Sequence, residues 1–201
     1  MARTGRPRAF DRDAAIIDAM HLFWTHGYEG VSLDQLRRTM GGISSASFYA
    51  AFGSKEALYR EALARYLDTH GKVVTNLRDP DLSPRDRVER TLRTSAEMQT
   101  DPAHPSGCMV TLSATICSVA AGSVQSLTAA ERADNRAGIH ACVADAVSGG
   151  ELRADTDIHG LSALFEGVLS GISLQARDGV SMEAINAGIT QALNAWDANR
   201  T

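Results

Sequence analysis

The segment VSLDQLRRTMGGISSASFYAAF, residues 31–52, carries two short helical patterns on either side of a glycine pair, and few folds accommodate that arrangement. Ser32 suits the N-cap of the first helix, because its hydroxyl can accept from a free amide of the opening turn. Leu33, Leu36 and Met40 supply an apolar stripe, and Gly41 and Gly42 permit the backbone geometry that stops it. Ser44 or Ser45 restarts a helix whose early side chains are small and polar, while Phe48 and Phe52 stand four residues apart on a face meant for burial. Two short helices joined by a tight turn make a helix-turn-helix. The major groove of duplex DNA admits one helix, whose N-terminal residues meet the base edges. Double-stranded DNA is therefore the expected first partner.

The composition agrees with a folded, locally basic protein. At 201 residues, 44% hydrophobic and 22% charged, the chain can bury a sizeable core. The net charge of −4 argues against coating nucleic acid through bulk charge. Residues 1–60, however, hold eight Lys and Arg against six Asp and Glu, and the remainder twelve against eighteen. Cys108, Cys117 and Cys142 show no CxxC spacing, which points to reduced thiols rather than a disulfide framework. No apolar run approaches the roughly 20 residues of a membrane span, so the expectation is a soluble, cytoplasmic protein that touches no membrane.

Along the chain, residues 1–10 read as a mobile arginine-bearing arm. Asp11 caps a first helix that runs to His26 with Ile16, Met20, Phe23 and Trp24 inside, and Gly27 ends it. After the helix-turn-helix, Ser54 opens a long helix through Leu58, Ala62 and Tyr66, reaching toward Val73 or Val74. Pro84 opens another to about Thr100, and Cys108–Ala121 is expected to be a short buried helix. Thr128 with Glu131 predicts a capping box for the next, closed by Gly149 and Gly150. Two apolar helices, 157–177 and 181–199, complete an all-α fold. The expected division is an arm and DNA-reading head over 1–53 and a helical body over 54–201.

In this setting the chain resembles the TetR/AcrR family of ligand-responsive transcriptional repressors. The resemblance rests on GRPRAF at 5–10, FWTHGYEGVSLDQL at 23–36, GISSASFYAAFGSKEALY at 42–59 and GISLQARDGVS at 171–181. The family pattern usually has one glycine where this chain has Gly41 and Gly42. The resemblance implies that Ser32 offers its hydroxyl or amide to a phosphate, that Ser44, Ser45, Ala46 and Ser47 open the helix facing the base edges, and that Tyr49 and Lys55 reach phosphates. Arg3, Arg6 and Arg8 are placed to enter an adjacent minor groove or to neutralise phosphates. It further implies a homodimer on a near-palindromic operator, released by a small-molecule effector, with no cofactor and no metal.

If the body encloses a cavity, Met98, Cys108, Met109, Leu112 and Ile116 are candidate walls, together with His140, Phe165, Leu169 and Gln175. Gly167 and Gly171, beside Leu164 and Val168, leave little bulk on one helix, and Ile185, Ile189, Leu193 and Trp196 stripe the next. These eight are the expected dimer interface, through close helix pairing with a second chain. Cys108 follows a Pro-Ser-Gly turn at a helix start, where a dipole lowers a thiol pKa; that leaves oxidant or electrophile sensing as an alternative reading. The alternative from another class is a small helical enzyme using His140 or Cys108, against which stands the absence of any paired acid and base or phosphate loop in the sequence.

Overall fold

A computed structural model describes residues 11–201, and the positions of Arg3, Arg6 and Arg8 lie outside it. The described chain folds as helices: α1 (Arg12–Gly30), α2 (Leu33–Thr39), α3 (Ser45–Phe52), α4 (Lys55–Asp68), α5 (Pro84–Thr100), α6 (Met109–Leu112), α7 (Gly122–Ser148), α8 (Ile158–Arg177) and α9 (Met182–Asp197), with 3₁₀ turns at His70–Arg78 and Val119–Ala121. The caps expected at Asp11, Ser32 and Ser54 are present, Ser44 rather than Ser45 caps α3, and Ser83, Asp157 and Ser181 cap their helices as well. Asp11, Ser32, Ser44, Ser54, Ser83, Asp157 and Ser181 each accept a bond from an amide three residues on.

Two apolar cores organise these helices. The first joins α1–α4 through Phe23, Trp24, Leu36, Phe48, Tyr59 and Tyr66, and draws in Met109 and Val110 from α6. The second lies between α5, α7, α8 and α9, around Leu92, Val143, Phe165 and Trp196. Thus α4, which lies after the expected division at residue 53, is shared: it belongs to the first core and runs toward the body.

Three expectations are corrected. The helix opened by Ser54 ends at Asp68, because at Thr69 the backbone turns to φ −118°, ψ −88° and the chain continues as a 3₁₀ segment with Gly71 buried against Tyr66. The apolar run 108–121 is not one helix. Its backbone is committed to the head: Tyr28 N donates to Ser113 O at 2.7 Å, the Ser113 and Tyr59 hydroxyls pair at 2.6 Å, and Glu29 accepts from Ser118 N and Oγ. Thr128 caps nothing, because Val124 enters the first core and starts α7 at Gly122; the Thr128 hydroxyl instead donates to Gln125 O inside the helix.

Candidate DNA-reading head and body cavity

The reading helix α3 is built by three local devices. Ser32 and Gln35 form a reciprocal capping box on α2, amide to side chain in both directions at 2.7 and 3.1 Å. The Ser32 cap is the expected half of this box; Gln35 is the further half, and its place three residues on is the signal that marks it. At the other end of α2 Gly42 N bonds Arg37 O and Gly41 N bonds Arg38 O, the paired closure of a Schellman motif. Both glycines sit at φ near +80° (80° and 76°), so the second glycine serves the same closure. Arg37 Nε then pins the turn by donating to Ile43 O at 2.8 Å.

From that turn α3 buries Phe48 and Phe52 and leaves Ser45, Ala46, Ser47 and Tyr49 exposed. Ser44 is engaged as the cap: it accepts from Ser47 N, and its hydroxyl pairs with that of Ser47 at 2.9 Å. Tyr49 is 51% exposed and rests edge-on against Phe48 at 5.7 Å, so its ring is fixed while its hydroxyl stands free of the core. Lys55 holds its ammonium 4.3 Å over the Tyr28 ring, and burial pulls its pKa below the ordinary value, with Glu29 opposing. The amide of Ser32 is used within the capping box, which leaves its hydroxyl proton as the donor available to a phosphate. Neighbouring arginines are largely paired: Arg12 with Glu61 at 2.7 Å, Arg38 with Asp34 at 3.1 Å and Arg60 with Glu56 at 2.7 Å.

Beneath the head lies a cavity of about 50 Å³. Tyr66 and the 3₁₀ segment form one wall, Ser95, Met98 and Gln99 of α5 another, and Cys108, Val110 and Thr111 a third; Ile139 of α7 and Leu169 and Ser173 of α8 close it. Of the expected wall residues, Met98, Cys108 and Leu169 line it. The others lie elsewhere. Met109 fills the first core and Phe165 the second, 5.9 Å from Trp196. Leu112 packs against Gly107, and Ile116 is 92% exposed because the 113–118 loop follows the head. His140 faces His159 at 5.1 Å over a surface depression with Arg136 and Glu166, and Gln175 is exposed on α8.

Cys108 and His140 therefore occupy different walls of the molecule and form no nucleophile-base pair. Cys108 precedes a single-turn helix, and its sulfur accepts from the Tyr66 hydroxyl at 3.3 Å. Burial, followed by the nearby Cys108, raises the Tyr66 phenol well above its ordinary value and keeps it a donor. Of the other thiols, Cys142 is pushed up to about 11 by burial and donates to Leu77 O.

The expected dimer residues divide. Ile185, Ile189, Leu193 and Trp196 are buried in the chain's own second core, which α9 must cover; of these Ile185 and Ile189 also line the groove beside α8, and Leu193 and Trp196 do not. On α8, Leu164 is 40% exposed, a side chain at Gly167 would meet nothing within 4 Å, and one at Gly171 would meet only Gln175. A groove runs along these positions to Gly188 of α9.

Among the described residues no helix is long and apolar enough to cross a membrane. Comparison with known families matches residues 16–62 to "Bacterial regulatory proteins, tetR family" and residues 84–191 to "Tetracyclin repressor-like, C-terminal domain". The HTH-type transcriptional repressor ComR of Escherichia coli (strain K12) is 30% identical over 193 residues, covering 96% of this chain and 91% of that protein. The repressor BdcR of the same organism is 32% identical over 106 residues, 53% of each. Among solved structures, the TetR family regulator CifR, a cysteine mutant complexed with 26-base-pair double-strand operator DNA, is 41% identical with a TM-score of 0.86, covering 95% of this chain and all of that one.

Proposed function

This chain belongs to the TetR family of bacterial regulatory proteins, and from that premise we propose that it is a ligand-responsive repressor that binds a near-palindromic operator as a homodimer and leaves it when an effector fills the body cavity. The observation that carries the reading is α3: capped at Ser44, closed off from α2 by a glycine turn, and presenting Ser45, Ala46 and Tyr49 to solvent. Its small side chains offer little direct base readout, so phosphate contacts supply much of the affinity. Residues 1–53 read DNA, and 54–201 bind effector and partner.

Coupling runs through the strap 106–113, which has the cavity on one side and the head on the other. Cys108, Val110 and Thr111 line the cavity, while Gly107 O accepts from Trp24 Nε1 at 3.0 Å and Ser113 is bound to Tyr28 and Tyr59. Tyr66 joins the two sides, stacked edge-on against Trp24 at 4.8 Å and bonded to Cys108. An effector that binds one conformation of the body better than another shifts the equilibrium between two spacings of the reading helices by no more than its difference in affinity. A two-fold reader needs half-sites about one helical turn apart, so spacing decides binding.

The test is a mobility shift on the DNA upstream of the chain's own coding region. Selective retention that weakens steeply with salt, and that Tyr49→Ala with Lys55→Ala removes while helicity is kept, is the expected result. Retention of random and upstream fragments alike would refute it.

A further inference from the structure

Three buried polar atoms line the body cavity without a partner: Ser95 Oγ, Gln99 Oε1 and Ser173 Oγ. Their residues are 1%, 2% and 0% exposed. Buried polar groups are nearly always bonded, so three orphans facing one space require an explanation. The two serines also decline the bond their helices offer. On α5, Thr94 and Thr100 turn back to the carbonyls of Arg90 and Ala96, and on α8 Ser162 turns back to Ile158. Ser95 and Ser173 do not, and so keep their hydroxyls for the cavity.

The chemistry of the three atoms defines a guest. The Gln99 oxygen accepts only, so the guest must donate a proton; the serine hydroxyls both donate and accept. Much of the remaining lining is apolar, including Met98, Ile139 and Leu169. Glu131, Arg132 and Glu166 also reach the wall; burial, then Asp134, holds the Glu131 carboxyl above its ordinary range. Arg132 donates to Val110 O and Glu166 pairs with Arg136, so the wall carries no field of one sign, and the three orphan atoms, themselves uncharged, suit a neutral guest. The volume admits roughly four water-sized groups.

We infer that the cavity takes a small neutral alcohol, a short apolar body ending in one hydroxyl that donates to Gln99 and bonds Ser95 and Ser173. The inference rests on the proposed effector role of this cavity and names the class of molecule it recognises.

The experiment measures binding of 1-butanol, 2-butanone, butyrate and butylammonium to the full chain by titration calorimetry and by melting temperature. 1-Butanol should bind saturably, at least tenfold tighter than 2-butanone, and raise the melting temperature by about 5–10 °C at a hundredfold excess over Kd. The variant carrying Ser95→Ala, Gln99→Leu and Ser173→Ala should lose that binding at least tenfold, yet melt without ligand at or above the wild-type temperature, because it removes unpaid desolvation. Should the triple variant fail to fold, Ser95→Ala and Ser173→Ala singly should each weaken binding with the same unlowered melting temperature. Tighter binding of butyrate or butylammonium, no saturable binding of any probe, or unchanged 1-butanol binding in the variants would each overturn the inference. A site filled by ordered water alone belongs to the second outcome. Retention of upstream DNA with no probe present tests the repressor reading separately.

Discussion

Tyr49 carries the farthest-reaching hydroxyl α3 can offer DNA, because its ring is braced on Phe48 and the flanking side chains, Ser45 and Ser47 among them, are small. Tyr49→Phe keeps the brace and removes only that group. Two copies of the proposed dimer lose one hydrogen bond each, so retention of upstream DNA should weaken about thirty- to a hundredfold, near 2–3 kcal/mol for two bonds of about 1–1.5 kcal/mol, to the same degree on all operator variants, with an unchanged melting temperature. Gly107 is the contrasting case, a residue read from the sequence only as part of a turn. Its φ of +79° is left-handed, and a Cβ there would lie 2.9 Å from the Ser173 carbonyl and 2.5 Å from Leu112 Cδ1. Gly107→Ala should cost roughly 2–4 kcal/mol, left-handed strain plus overpacking, seen as a lower urea midpoint at unchanged slope.

Among the elements, those legible in the sequence were the ones whose signals are local. Caps at Ser32 and Ser54 and the glycine stop after Met40 are decided within a few residues, and the structure has them where spacing put them; of Ser44 and Ser45, both open from the sequence, Ser44 is the cap. The run 108–121 departs from the expected helix because, although its apolar residues satisfy a helical pattern, its backbone bonds go to Tyr28 and Glu29 and the Ser113 hydroxyl to Tyr59, all more than fifty residues away. For the same reason the cavity was half legible: Met98, Cys108 and Leu169 have apolar side chains, but Ser95, Gln99 and Ser173 are ordinary polar residues until their burial is known. His70, at the start of the 3₁₀ segment, is another feature only packing reveals. It lies 5.1 Å from Trp24 and 4.5 Å from His104. Burial, then the neighbouring His104 and His21, lowers its pKa from 6.5, with Asp101 opposing. The unfolded chain therefore binds the proton more readily than the folded one, so stability is full above 6.5 and falls as pH drops through 6.5 toward the folded value. His70→Phe, which keeps a ring against Trp24, should make the melting temperature less sensitive to pH across that window.

At the scale of the molecule, two contacts decide whether the parts act together. Arg177 at the end of α8 donates to Trp24 O and Thr25 O at 2.9 Å each and to Ser106 O at 3.1 Å, tying the body to the last turns of α1 and to the strap. Arg177→Met should leave both cores packed and loosen their junction. DNA retention should persist, but its sensitivity to whatever ligand releases the wild type should fall severalfold. The second contact belongs to the proposed dimer. Gly167 has nothing within 4 Å of where its side chain would be, so no packing within the chain accounts for it, and an exposed glycine inside a helix costs about 1 kcal/mol against ordinary residues. The groove it shares with Leu164 and Gly171 fits close approach of a second copy of α8. Gly167→Arg should improve the isolated helix while placing a charge in that groove. Light scattering is then expected to give the mass of one chain for the variant and of two for the wild type, with the variant's helicity intact and its operator retention lost. A variant that stays paired and keeps its DNA would move the dimer contact off this face of α8.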